Sequence, residues 1–270
     1  MELNKIYNED CLSFLSSLKD KKVFDVVLTS PPYNTSREGA IFSKNGLQMS
    51  SRYHEVDGWI DNRTQEDYIT WCIQIFNALD NTLKENGVIL WNVSYGADVT
   101  KNPDSVSTMW LCIADIIRNT NFAVADRIIW KKDSSFPNNE SPNKLTRVVE
   151  DIFVFARKSE IRTFHCNKKV TSTRPTGQKM YSPIYNYIEA PNNSENCPIN
   201  KATFSVELCM KLLKIYAPKD AVVYDPFMGT GTTAIAYLEK GLNYVGTEIS
   251  KEQIEWSENR IKDFKKNSLW

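Results

Sequence analysis

Two short motifs in this chain carry side chains that could do chemistry, and the first is Thr-Ser-Pro-Pro-Tyr-Asn at 29–34. It follows the apolar run 23–28, which is typical of a buried parallel strand, and two prolines cannot continue a helix or a ladder. Proline carbonyls beside the Ser30 hydroxyl and the Tyr33 ring suit a planar group with an amino substituent, because the carbonyls accept its hydrogens while the ring stacks. The alternative is a proline turn with a packing tyrosine.

The second motif is Asp-Pro-Phe-Met-Gly-Thr-Gly-Thr-Thr at 225–233, between a predicted strand at 221–224 and a predicted helix at 234–240. Its glycines let the backbone turn tightly and approach a ligand closely. The next predicted strand, 243–247, leads to Glu248, and an acidic residue about 20 residues after such a loop is placed to bind two ribose hydroxyls. Because no Gly-Lys-Ser/Thr follows, the loop is not a phosphate loop. The spacing favours nucleoside binding over a structural turn beside a surface glutamate.

The elements that must position these motifs alternate between strand and helix. Asp10 is placed as a helix cap, 64–67 has the pattern of a capping box, and Asn86-Gly87 is predicted to end a helical unit before the next strand. The predicted strands before the second motif are 5–7, 23–28, 88–93, 123–130 and 148–155, and the predicted helices are 11–18, 68–79, 106–118 and 204–216. This order predicts an α/β fold with a doubly wound, mainly parallel sheet, in which 123–130 and 148–155 form an antiparallel pair.

Composition sets limits on the class of protein. The 270 residues contain 33 Lys+Arg and 33 Asp+Glu, so the total charge argues neither for nor against nucleic acid. Six cysteines without a C-x-x-C pair and only two histidines predict reduced thiols and no zinc site. No signal peptide is visible and no apolar run approaches the ~20 residues needed to span a bilayer. We therefore expect a cytoplasmic protein that does not contact a membrane.

Two segments lack clear periodicity. We interpret 35–62 as a mobile loop near the first motif, with Arg37 and Arg52 positioned to reach phosphate or base; a solvated loop is the alternative. The segment 157–200 holds an excess of Lys and Arg with interleaved aromatic residues. That composition suits contact with nucleic-acid backbone and bases, although an exposed loop with a solvated charge run would look the same.

Over nearly its whole length the chain resembles the DNA amino-methyltransferases that use S-adenosylmethionine. Residues 29–33 resemble their catalytic Asp/Asn/Ser-Pro-Pro-Tyr motif, and 225–233 resemble their Asp-Pro-Phe-x-Gly-x-Gly-Thr-Thr cofactor loop. This order of motifs is similar to the β group of the family, in which the target-recognition region lies between them. Residues 7–11 and 129–132 are smaller matches. Where the family often has His-Pro-Ala-x-Phe-Pro, this chain has Asn-Lys-Ala-Thr-Phe-Ser at 200–205, which weakens the case for cofactor contacts there.

The resemblance implies a Rossmann-like methyltransferase fold with one catalytic domain, 1–270, and 157–200 as an inserted target-recognition region. The implied catalytic residues are Ser30, Pro31, Pro32 and Tyr33. The implied cofactor-binding residues are Asp10, Cys11, Asp225, Pro226, Phe227, Gly229, Gly231, Thr232 and Glu248. The implied DNA-binding residues are Arg37, Arg52, Lys168, Lys169 and Arg174, and no metal ion is implied.

The implied reaction is direct methyl transfer to the exocyclic amine of a base that has been flipped out of double-stranded DNA. Ser30 resembles the first motif residue of cytosine-N4 enzymes, while adenine N6 stays open as the alternative. An RNA or protein methyltransferase and a non-catalytic nucleic-acid-binding subunit are the rival classes. A cognate restriction endonuclease and a homodimer are further partners that the resemblance leaves open.

Overall fold

The computed structural model describes residues 1–18, 21–34, 41–42, 48–49, 63–93, 105–133, 142–143, 145–192 and 205–267. The strands are β1 (Lys5–Asn8), β2 (Phe24–Thr29), β3 (Ile41–Phe42), β4 (Gln48–Met49), β5 (Leu83–Val93), β6 (Phe122–Lys132), β7 (Val149–Arg157), β8 (Val170–Thr173), β9 (Lys179–Tyr181), β10 (Tyr187–Ala190), β11 (Val222–Asp225) and β12 (Asn243–Glu248). The helices are α1 (Cys11–Ser17), α2 (Gln65–Thr82), α3 (Ser105–Asn119), α4 (Val206–Tyr216), α5 (Thr232–Glu239) and α6 (Lys251–Asn267).

The main sheet has the strand order β1-β12-β11-β2-β5-β7-β6-β10. Strands β1, β12, β11, β2 and β5 run parallel to one another, whereas β7 is antiparallel to both of its neighbours. The prediction of a mainly parallel sheet with an antiparallel pair is therefore confirmed. Because β7 is reversed, its amino end lies at the same edge of the sheet as the carboxyl ends of β2, β5, β11 and β12.

Both faces of the sheet are covered by helices. Along β2, Val26 and Leu28 pack on the face covered by α4 and α5, while Phe24 and Val27 pack with α1, α2 and α3 on the opposite face. Successive strand side chains point to opposite faces, so a strand buried on both sides must be apolar throughout. This requirement explains why the central strands were visible in the sequence as continuous apolar runs.

Helix caps agree with the sequence. The Asp10 carboxylate accepts from Leu12 N at 3.0 Å and from Ser13 N at 3.2 Å, which caps α1. The Thr64 hydroxyl oxygen accepts from Asp67 N at 3.1 Å at the start of α2. Side-chain oxygens satisfy the first N–H groups of a helix, which have no partner within it. No helix among the described residues is long and apolar enough to cross a membrane.

The predicted break at Asn86-Gly87 is wrong. Helix α2 ends at Thr82 and β5 begins at Leu83, so Asn86, with φ of 60°, lies inside the strand. The register between β2 and β5 shifts between Phe24 and Val26, which marks an irregularity of the bulge type. A Cβ on Gly87 would lie 2.9 Å from the carbonyl oxygen of Asp25. This glycine is therefore needed for close strand packing and does not end a helix.

The segment 157–200 is more regular than its composition indicated. Strands β8 and β9 form an antiparallel hairpin, and β10 adds an eighth strand to the main sheet by pairing parallel to β6. Arg157 is not a free surface cation, because its guanidinium pairs with Asp80 and Glu160 at the end of β7. Of the predicted loop 35–62, only the two-residue strands β3 and β4 lie within the described residues, and they pair antiparallel.

Candidate active site

The two motifs meet at the carboxyl edge of the parallel strands. Thr29, the last residue of β2, donates its hydroxyl to Asp225 Oδ1 at 2.7 Å, and Asp225 is the last residue of β11. In open α/β sheets, ligands bind at this edge. Sheet order thus brings together two segments that lie nearly 200 residues apart in the chain.

Ser30 and Tyr33 belong to one hydrogen-bonded group. Ser30 Oγ lies 2.6 Å from Tyr33 Oη, which in turn donates to Asn92 Oδ1 at 2.7 Å. Asn92 Nδ2 donates to the carbonyl of Asp151 at 3.2 Å, at the amino end of β7. Burial, followed by the charge of the nearby Glu150 carboxylate, raises the pKa of Tyr33 well above its ordinary range. Tyr33 is therefore a neutral phenol at physiological pH.

The proline carbonyls of the first motif are not equivalent. The Pro32 carbonyl accepts from the Tyr68 hydroxyl at 2.8 Å, so a side chain of α2 already occupies it. Asn34 follows with φ of 55°, a left-handed conformation that asparagine tolerates better than most residues. Its side chain accepts from Arg63 N at 2.8 Å and donates to the Arg63 carbonyl at 2.9 Å. The end of the motif is thereby fixed to the residue that precedes Thr64, the cap of α2.

The second motif forms the expected tight loop. Gly229 has φ of 54° and Gly231 has φ of 80°, both in the region that favours glycine. A Cβ on Gly231 would lie 2.7 Å from Ser257 Cβ of α6, so α6 leaves no room for a side chain. The Arg260 guanidinium on the same helix donates to the Thr230 carbonyl at 2.6 Å. Helix α6 thus holds the loop from behind.

Glu248 ends β12, where the spacing placed it. Its Oε2 accepts from Gly229 N and its Oε1 from Ser250 N, both at 2.9 Å. Burial raises the pKa of Glu248, while these two N–H bonds act in the opposite direction. A carboxylate has about four acceptor positions, so each oxygen can still accept one hydroxyl hydrogen. The remaining acceptor positions of Glu248 therefore fit a ribose whose two hydroxyls donate to them.

Asp225 holds the junction between the motifs. It is 2% exposed, and its carboxylate accepts from Thr29 Oγ1, from Phe227 N at 2.9 Å and from Thr233 Oγ1 at 2.6 Å. Burial raises the pKa of Asp225 to about 6, and these three hydrogen bonds lower it in part. The neighbouring Pro226 carbonyl accepts from Thr247 Oγ1 at 2.9 Å. Asp225 and Pro226 are thus bonded to protein groups, which makes them part of the support of the loop.

The remaining predicted residues are those assigned to cofactor binding and those assigned to DNA binding. Asp10 and the buried Cys11 lie at the start of α1, directly after β1, and Thr232 is the first residue of α5. The Phe227 ring lies 5.4 Å from the ring of Trp71. Lys168, Lys169 and Arg174 are exposed, in or next to the β8–β9 hairpin, whereas Arg37 and Arg52 lie outside the described residues.

Sequence reasoning missed three side chains at this edge, namely Tyr68, Asn92 and Glu150. Asn92 interrupts an apolar strand near its carboxyl end, and Glu150 is the second residue of another strand, where it pairs with Lys132. A polar residue at the end of a buried strand was the available signal. Within the described ranges, no group of three His, Cys, Asp or Glu residues could hold a metal ion.

The fold and the paired motifs define a methyltransferase of the Rossmann-like class. The N6/N4 DNA methylase family model matches residues 24–259, and the chain belongs to this family. The type II methyltransferase M.BglII of Bacillus subtilis is 26% identical over 94% of this chain and 67% of its own length. This chain is therefore a DNA methyltransferase, as the resemblance implied.

Two solved structures share the fold. The PvuII DNA methyltransferase, described as cytosine-N4-specific, matches 96% of this chain and 90% of its own with a TM-score of 0.67 and 17% identity. The Thermus thermophilus protein TTHA0409, solved with S-adenosyl-L-methionine, matches 96% of this chain and 93% of its own with a TM-score of 0.62 and 18% identity. The methyl donor of this chain is S-adenosylmethionine, which agrees with the geometry around Glu248.

Proposed function

We propose that this chain methylates the N4 amine of cytosine in double-stranded DNA, with the target base flipped out of the duplex to the carboxyl end of β2. The observation that carries the choice of base is the hydroxyl of Ser30 at the first position of the motif, where the resemblance gives adenine-N6 enzymes an aspartate. The likeness in fold to a cytosine-N4-specific enzyme supports it. A base inside a duplex cannot reach such a site, and flipping it costs a few kcal/mol.

The first motif supplies acceptors and a stacking face. Because the Pro32 carbonyl is already bonded to Tyr68, the acceptors that remain for the two amine hydrogens are Ser30 Oγ and the Pro31 carbonyl. The lone pair of an exocyclic amine is delocalised into its ring, which makes the nitrogen a poor nucleophile. Two acceptors that hold its hydrogens favour a more tetrahedral nitrogen, whose lone pair can face the methyl group. The Tyr33 ring is proposed to stack on the flipped base.

The second motif is proposed to hold the cofactor. Glu248 binds the ribose hydroxyls, Gly229 and Gly231 allow the backbone to approach the methionine part, and Phe227 offers an aromatic face. Asp225, Pro226 and Thr232 shape the loop, and Asp10 and Cys11 line the neighbouring end of β1. The bound cofactor supplies an electrophilic sulfonium methyl, so the protein mainly provides position and complementary charge.

The exposed β8–β9 hairpin is proposed to face DNA as part of a target-recognition region at 157–200. Support comes from its cations and from the half-exposed Tyr181 and strongly exposed Tyr185 beside them. We also propose a cognate restriction endonuclease as a functional counterpart, because M.BglII is a type II methyltransferase. The single catalytic domain 1–270, the role of 35–62, a homodimer and a cytoplasmic location stay predictions.

The test is nucleoside mass spectrometry of DNA, RNA and protein after incubation with the purified chain and labelled S-adenosylmethionine. We expect N4-methylcytosine in DNA only, and sequencing that detects methylation then gives the recognition site. Ser30→Ala, which keeps the fold but removes one acceptor, is the matched control and should lose most of the activity. N6-methyladenine as the sole product would refute the assignment of the base, and label in RNA or protein alone would refute DNA as substrate.

A further inference from the structure

The hydrogen bonds around Ser30 have a direction that the atoms themselves determine. The Asp151 carbonyl can only accept, so the Asn92 atom that faces it at 3.2 Å is the amide nitrogen. The other Asn92 atom, which lies 2.7 Å from Tyr33 Oη, is therefore the oxygen, and Tyr33 must donate to it. A phenol has one hydrogen. Tyr33 Oη can then only accept from Ser30 Oγ, 2.6 Å away.

We propose that Asn92 is a positioning residue that, through Tyr33, holds the Ser30 hydrogen away from the target amine and leaves Ser30 Oγ as an acceptor only. This inference rests on the proposed transfer to an exocyclic amine. A serine hydroxyl both donates and accepts, so a freely rotating Ser30 would often present its hydrogen to the hydrogens of the amine. An aspartate at this position would be an acceptor without any such help.

The surroundings keep the chain of bonds in this direction. Asn92 is 2% exposed, and it lies on β5, whose neighbour β2 leads directly into Ser30. The charge of the nearby Glu150 carboxylate, which adds to burial in raising the pKa of Tyr33, also attracts the phenol hydrogen. Glu150 is itself paired with Lys132, the last residue of β6. The Asn92 oxygen and the Glu150 charge therefore both draw the Tyr33 hydrogen away from Ser30.

The test is a comparison of Asn92→Leu in two backgrounds, with Ser30 and with Ser30→Asp. Single-turnover methyl transfer measures the chemical step, and calorimetry measures S-adenosylmethionine affinity separately. With Ser30, Asn92→Leu should slow transfer about tenfold, the scale of one neutral hydrogen bond, and leave cofactor affinity within about twofold. In the Ser30→Asp background the same substitution should change the rate by less than about twofold, because a carboxylate needs no oriented hydrogen.

Tyr33→Phe interrupts the same chain while it keeps the aromatic ring, so it tests the proposal even if Asn92→Leu folds poorly. It should slow transfer with Ser30 and be tolerated with Ser30→Asp. An equal loss in both backgrounds, for either variant that folds, would overturn the positioning role, since Asn92 or Tyr33 would then act independently of Ser30. If the wild-type chain transfers no methyl group to any DNA, the proposed function itself fails, and that result is recognised before any variant is compared.

Discussion

Replacement of Asp225 by asparagine isolates the free-energy cost of burying one carboxylate where the two motifs meet. Asparagine keeps one carbonyl oxygen for Thr29 Oγ1 and Phe227 N. Its amide nitrogen can donate to Thr233 Oγ1, because that hydroxyl has a second acceptor in Met228 Sδ at 3.0 Å. The three protein groups that bond to Asp225 therefore keep a partner, and the main change is the loss of the titrating group.

The pKa of Asp225 gives the sign and the size of the effect. Burial raises it from 3.8 to about 6, so between these values the folded protein binds more protons than the unfolded chain. The stability of the wild-type protein therefore falls as pH rises through this window, and below pH 3.8 the cost is absent. Two pKa units correspond to about 3 kcal/mol. We expect Asp225→Asn to gain about this much relative to wild type between pH 4 and pH 7.

The measurement is the free energy of unfolding from urea titrations at half-unit intervals from pH 4 to pH 7.5. The dependence of this free energy on urea concentration should be the same for both proteins, so that a shift in midpoint reports stability. Asp220→Asn, in which an exposed aspartate loses its charge in the same way, controls for the change in net charge. A stability difference between Asp225→Asn and wild type that stays constant with pH, or that shrinks as pH rises, would refute the reasoning.

Four further predictions follow from the site. Glu248→Ala should weaken S-adenosylmethionine binding by at least ~1.5 kcal/mol, about tenfold by calorimetry, and unchanged affinity would remove the ribose assignment. Gly231→Ala should lower the free energy of unfolding by at least about 1 kcal/mol in urea titrations, because φ is 80° there, and no loss would show that α6 can move away. Ser30→Asp should alter turnover but keep cofactor affinity within about twofold; a lost affinity would give Ser30 another role. Replacement of Lys168, Lys169 and Arg174 together by alanine should weaken the salt dependence of DNA binding. The steepness of log binding constant against log[salt] should fall by about 0.9 per lost phosphate contact, and an unchanged steepness would place the DNA surface elsewhere.

Much of the fold could be predicted because buried parallel strands leave continuous apolar runs in the sequence. Strand β10 could not, because its four residues in a polar segment are too few to show the alternation that marks a strand. Asn86-Gly87 was misread since the pair is as suitable for an irregular strand as for a helix end. The local pattern of residues 83–93 does not distinguish these two uses.

The sequence predicted individual residues of the candidate site, but it did not predict the hydrogen bonds between them. Glu248 and the glycine loop were found by their spacing, which reflects one strand-loop-helix-strand unit. The bonds from Thr29 to Asp225 and from Tyr33 to Asn92 depend on β2 lying between β11 and β5. Strand order is a property of the whole sheet and leaves no local pattern, so these contacts needed the structure.

The bonds between Asn34 and Arg63 bear on how freely the segment between them can change in evolution. They join the two residues that flank segment 35–62, and β2 and α2 lie directly beyond these flanking residues. When the ends of a segment are already fixed, a doubling of its length costs only about 0.6 kcal/mol in closure entropy. Segments of different length and composition can therefore be exchanged between these two anchor points with little effect on Ser30 or Tyr33. Diversification of the sequence there is largely independent of the chemistry beside it.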